Sequence, residues 1–113
     1  MKKFKVAFEG LFKGMKDKSI LTQYILGIIT LLFCLIIKLP LFYFIIILIC
    51  IGNVIGFEYI NTAIEKLSDL YTTEYNEKIK YIKDLSSAAC LVQAFSALFI
   101  FLILLYYLFK GLI

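Results

Sequence analysis

An all-α membrane protein is the fold class this sequence predicts: one amphipathic surface helix followed by three transmembrane helices, in a single domain covering residues 1–113. Two observations carry this. The chain is 63% hydrophobic with a mean hydropathy of +0.96, whereas soluble domains hold roughly 45–50% apolar residues. The apolar residues also gather into three stretches, 20–37, 41–64 and 85–109. Each approaches or exceeds the ~20 residues that cross about 30 Å of hydrocarbon.

The first element is read from residues 1–18. Phe4, Phe8, Leu11, Phe12 and Met15 recur at i, i+4, i+7, i+8 and i+11, with Lys3, Lys5, Glu9, Lys13 and Lys16 between them. That spacing predicts a helix lying on the inner membrane surface, its lysines toward anionic headgroups. Asp17 or Ser19 then caps the first span. This span starts late and ends at Lys38-Leu39-Pro40, not at a small-residue cleavage site, so it reads as a transmembrane helix and not a signal peptide.

Pro40 stands where proline ends one helix and begins the next. In the second span, Gly52 and Gly56 form a small-xxx-small step that lets another helix approach, and Asn53 reads as an interhelical hydrogen-bonder. The chain turns polar between Asp69 and Asp84. Ser86 to Ala89 then open the third span with a small-residue patch. Cys34, Cys50 and Cys90 lie inside the apolar stretches at spacings that match no zinc or redox motif, so they read as packing residues.

Charge placement orients the spans. Six of the twelve lysines fall in residues 1–18, one in the 38–40 turn and four in 65–84. By the positive-inside rule, the N-terminus and the 65–84 connection are cytoplasmic. All twelve cations are lysine and histidine is absent, which excludes imidazole catalysis and an arginine finger within this chain. No phosphate-binding glycine-rich loop of the Walker or protein-kinase type is present.

The chemistry is carried by Glu58, Asn61, Glu65 and Asp69, which interrupt the second apolar stretch at i, i+3, i+7 and i+11 and so share one helix stripe. Glu58 and Glu65 are two turns apart, roughly 10 Å along the axis. A carboxylate at membrane depth costs about 2.5–3.5 kcal/mol even on the lenient insertion scale, so one kept there signals a function. Glu58, Glu65, Asp69, Glu74 and Asp84 cluster near Lys83 at one membrane edge. Hard oxygen donors of this kind suit Mg²⁺, which takes one or two carboxylates together with substrate phosphates. Lys83 can meet a phosphate as a point charge, and Glu58, the deepest acid, can accept the proton of a lipid hydroxyl. The structural alternative is that these acids pair with Lys66 or Lys83 or cap helices. That alternative is the one we expect for Glu77, Lys78 and Lys80.

The string Glu58-Tyr59-Ile60-Asn61-Thr62-Ala63-Ile64-Glu65-Lys66-Leu67-Ser68-Asp69 resembles the signature of the prokaryotic diacylglycerol kinase family, E-x-x-N-[ST]-[SA]-[LIV]-E-x-x-x-D. Glu74-Tyr75-Asn76 and Lys83-Asp84-x-x-Ser87-Ala88-Ala89 match downstream without a gap, and Ala7-Phe8-Glu9-Gly10 is similar to the surface helix of its compact Gram-positive branch. The resemblance implies an ATP- and Mg²⁺-dependent lipid kinase of the bacterial cytoplasmic membrane, with its N-terminus cytoplasmic. It also implies a homotrimer whose sites combine residues of neighbouring subunits. Glu58 then corresponds to the catalytic base, Glu65 to a metal ligand, Asn61 and Asp69 to supporting residues, and Ser87 to a lipid-side contact. Glu74, Tyr75 and Asn76 correspond to a nucleotide-contacting stretch, and Lys83 and Asp84 to the phosphate- and nucleoside-contacting pair.

The N-terminal half departs from the pattern. A second metal-binding glutamate is replaced by Asp17 when counted back from Glu58, or by Lys18 when counted forward from Gly10. Leu21 takes the place of an arginine, Val6 of an aromatic, and Asn76 of a histidine. Undecaprenol is the expected acceptor, on the likeness of Ala7-Phe8-Glu9-Gly10 and of the Ile64-Glu65 context to that branch. Diacylglycerol is the runner-up. Outside the kinases stand a non-catalytic membrane scaffold of the same fold and a proton-coupled transporter. The transporter fits poorly because the acids gather at one edge and do not line a path across the bilayer.

Overall fold

A computed structural model describes all residues, Met1–Ile113. The chain forms four helices: α1 (Lys2–Gly14), α2 (Lys18–Ile36), α3 (Leu41–Tyr71) and α4 (Glu77–Phe109). The last three are long and apolar enough to cross a membrane. At about 1.5 Å per residue, α3 and α4, with 31 and 33 residues, overrun the hydrocarbon thickness. Their polar ends therefore continue as helix beyond it. The polar connection expected over residues 65–84 is accordingly helical for most of its length, and only residues 72–76 leave the helices.

Each helix end has a local cause. Asp17 caps α2, its Oδ1 accepting the Ser19 amide at 3.1 Å and the Ser19 hydroxyl at 2.8 Å. This decides between the two caps the sequence allowed. At the other end of α2, Leu39 N–H donates to the Cys34 carbonyl and Lys38 N–H to that of Leu35. That pair of bonds closes a Schellman turn, whose left-handed residue is Lys38 at φ 57°. Leu39 is thereby driven into a small core with Cys34 and Ile47, and Pro40 starts α3 directly. Gly111, at φ 73°, ends α4 in the same manner. At the opposite end of α4, Asn76 Oδ1 accepts the amides of Lys78 and Ile79.

The three long helices run up, down and up, with α3 packed between α2 and α4. Gly27 of α2 permits a close approach to α3: a Cβ there would lie 2.7 Å from Ile51 Cγ2. Only nine of 113 residues are buried, so the outer faces of the bundle are apolar and rely on lipid or on other chains for cover. Gly52 and Gly56 have nothing within 4 Å of where a Cβ would stand, and Asn53 is exposed. The small-residue step thus faces away from this chain's own helices. All three cysteines are free.

Helix α1 and the 72–76 turn lie at one end of the bundle, hereafter the polar end. The 38–40 turn and the C-terminus lie at the other, where Leu108 and Ile113 pack on the Cys34–Leu39–Ile47 core. Every residue from Met1 to Gly10 is exposed, as suits a helix lying on a membrane surface. One hydrogen bond joins α1 to another helix: Tyr59 Oη donates to the Leu11 carbonyl at 2.8 Å. Tyr24 Oη lies 2.9 Å from the same hydroxyl, and the two rings meet edge to face. Gly14 allows the contact, since a Cβ there would run into the Tyr59 ring.

Candidate active site

The acidic stripe of α3 faces α4 where the two antiparallel helices approach the polar end. Three rungs set the register. Cys90 Sγ donates to the Phe57 carbonyl at 3.5 Å, Ser86 Oγ to Asn61 Oδ1 at 2.6 Å, and Lys83 Nζ to Asp69 Oδ1 at 2.6 Å. Residues 83, 86 and 90 fall at i, i+3 and i+7, one face of α4, opposite the stripe of α3. Glu58, beside the Cys90 rung, and Glu65 are half-buried.

Asn61 and Ser86 are among the few buried polar side chains, with 8% and 9% exposure. Asn61 Nδ2 donates to Glu65 Oε1 at 3.0 Å, one turn further along α3. This leaves the second carboxylate oxygen of Glu65 outside the network. Ser87, which the sequence nominated, is exposed; its neighbour Ser86 is the serine that reaches the stripe. Spacing along α4 could not choose between them, since Ser86 at i+3 and Ser87 at i+4 from Lys83 both share its helix face; the rotation of α4 against α3 decides it.

Toward solvent, a polar cavity of about 380 Å³ lies in the bend between α3 and α4. Asp69, Glu74, Tyr75, Asn76, Lys83 and Asp84 line it, together with Thr72, Thr73, Ile79 and Lys80. The structure thus brings together six of the nominated residues. Thr72 Oγ1 accepts the Glu74 amide at 3.1 Å and shapes the bend, while the oxygen of Asn76 is committed to capping α4. Lys80 and Asp84 pair at 2.6 Å, and Lys83 pairs with Asp69. Both pairs are solvent-accessible, and such pairs contribute only about 0–1 kcal/mol. An incoming phosphate can therefore take either lysine at little cost.

Asp17 stands apart from this cavity, at the start of α2. The hydroxyl of Ser19 holds its carboxyl below the usual aspartate range; burial opposes this, and the amides of Ser19 and Ile20 add to the lowering. Lys66 adds a weaker pull. No three acidic or thiol side chains of one chain come together as a metal cage. Asp17 and Glu65, the two nominated metal ligands, are therefore not joined by a third acid from the same chain.

A family model described as prokaryotic diacylglycerol kinase matches residues 5–105. The chain belongs to the prokaryotic diacylglycerol kinase family. No individually curated protein matches it significantly. Membership covers α1 and all three spans, and it makes this membrane protein a lipid kinase with ATP as phosphate donor. Kinases of this family typically work with a divalent metal, and the side chains here fit that requirement in kind. A cation that arrives on ATP phosphates needs only one or two carboxylates. Glu65 keeps one carboxylate oxygen outside the Asn61 bond, one turn of α3 before Asp69, which lines the polar cavity.

Proposed function

We propose that this chain transfers the γ-phosphoryl group of Mg·ATP to the hydroxyl of undecaprenol, as a homotrimer in the bacterial cytoplasmic membrane with its N-terminus inside the cell. The observation that carries this reading is that Asn61 and Asp69 of the α3 stripe meet Ser86 and Lys83 of α4, with Asp69 lining a polar cavity. Glu58 sits deepest along that stripe, where the hydroxyl of a membrane alcohol would lie. It accepts the alcohol's proton as the alcohol oxygen bonds to the γ-phosphorus, while the bond from phosphorus to the bridging oxygen breaks and ADP departs. A Mg²⁺ ion bound with ATP would supply charge neutralisation at the phosphate oxygens. Glu65, steadied by Asn61, and Asp17 are the residues that would hold it.

Lys83, on leaving Asp69, meets the phosphates, while Asp84 and the 74–76 turn contact the nucleoside. Asp69 then remains as a partner that holds Lys83 between turnovers, and Ser87, exposed on α4, contacts the lipid. Since one chain gathers no metal cage, ligands from a neighbouring subunit would complete the site. The lysine-rich α1 at the same end as the cavity supports a cytoplasmic polar end, where ATP is found.

The experiment is a transfer assay with purified protein, labelled ATP and Mg²⁺ against each lipid. Label in undecaprenol and not in diacylglycerol is the expected outcome. The family's own description supports diacylglycerol as the alternative acceptor, and label in that lipid alone would favour it. Transfer to neither would return the chain to a scaffold that has lost activity.

A further inference from the structure

We infer that Ser86 is a positioning residue for the metal-binding carboxylate: its hydroxyl fixes the Asn61 amide, which in turn aims Glu65. This rests on Glu65 holding the nucleotide-bound cation. The three groups can be satisfied in one orientation only. An ionised carboxylate accepts and never donates, so the amide nitrogen of Asn61 must face Glu65, as it does at 3.0 Å. The amide oxygen then faces Ser86 at 2.6 Å. Since that oxygen cannot donate, the serine proton lies in the bond between them. The chain of donation runs from Ser86 through Asn61 to Glu65.

Its placement gives Ser86 a role that neither partner has. Asn61 and Glu65 lie on one helix four residues apart, and their mutual bond leaves both free to swing together. Ser86 belongs to α4 and holds the amide from outside α3. It is also buried, like Asn61, where water is a poor substitute, and no buried side-chain polar atom in the protein lacks a partner. Without the hydroxyl, the amide oxygen has no donor. The amide then turns to find one, and Glu65 loses the bond that sets its free oxygen.

Partners that orient a metal ligand are typically worth 10–100-fold in metal affinity. The full-length protein in lipid vesicles is titrated with Mn²⁺ in the presence of a non-hydrolysable ATP analogue, and bound Mn²⁺ is read by electron paramagnetic resonance. Ser86→Ala should weaken Mn²⁺ binding roughly tenfold and raise the metal concentration needed for half-maximal turnover, with kcat at saturating metal unchanged. Ser86→Thr, which keeps the hydroxyl, should recover the affinity, and Ser96→Ala, on an exposed face of α4, should have none of these effects. A purely structural serine would lower the melting temperature and leave Mn²⁺ affinity unmoved. Wild-type affinity in Ser86→Ala therefore overturns the inference. Failure of the underlying assignment looks different: Glu65→Ala would then bind Mn²⁺ as tightly as wild type, and the role of Ser86 would fall with it.

Discussion

Glu58 and Asp17 show how differently two acids of one chain are held. Glu58 lies on the half-buried seam between α3 and α4, next to the Cys90 rung, while Asp17 spends one oxygen on the backbone and hydroxyl of Ser19. Replacing Glu58 by glutamine keeps shape and removes the base. Turnover should fall by about 10²–10⁴-fold, the usual contribution of a positioned base, while helical circular dichroism and melting stay close to wild type. Wild-type-like turnover would remove Glu58 from the chemistry. Asp17→Ala should lower the melting temperature by removing the α2 cap. Because the folded-state carboxyl lies below its ordinary value, the cap contributes fully above about pH 4 and is lost as pH falls through the lowered value. Melting temperatures of wild type and variant should thus differ by a constant amount at neutral pH and converge in acid.

At the scale of elements, α1 hangs on one contact. The Tyr59 hydroxyl holds the Leu11 carbonyl and the Tyr24 hydroxyl, with its ring on Gly14. Alanine at position 14 would favour helix by about 1 kcal/mol, yet its Cβ would collide with the ring. Hydrogen exchange of α1 amides should therefore speed up in Gly14→Ala despite the better propensity, and likewise in Tyr59→Phe. Tyr24→Phe, which keeps the bond to Leu11, should change exchange less. Slower exchange in Gly14→Ala would show that α1 is held elsewhere.

None of this latch was legible in the sequence. Tyr59 lies between Glu58 and Ile60 inside an apolar span, and its partners are 35 and 48 residues away. The α3 stripe, by contrast, was plain, because four polar residues at helical spacing stand out against an apolar background. The helical course of residues 65–84 was less plain, because Leu67, Leu70, Tyr71, Tyr75, Ile79, Tyr81 and Ile82 are interspersed among charges and form no continuous apolar run.

For the whole molecule, the decisive fact is how little a single chain buries. Gly52 and Gly56 face outward, away from this chain's own helices, and the proposed trimer would give them a neighbour. If sites are shared between subunits, chains carrying Glu58→Gln mixed with chains carrying Lys83→Ala should regain activity. Each mutant assembly is inactive alone, but some mixed sites would draw both residues from intact copies. Failure of such mixtures, where cross-linking shows that mixed assemblies form, would place the whole site within one chain.

The number of spans and their order follow from composition and local spacing, and the string from Glu58 to Asp69 carries the resemblance to the family. A twenty-residue apolar stretch has only one stable solution in lipid, and a helical stripe is defined by neighbours within a few turns. Which serine meets Asn61, which lysine pairs with Asp69, and how α1 is tied down depend on the rotation and offset of α4 and α2 against α3. Those are set by contacts between residues far apart in the chain, which spacing along a single helix does not encode.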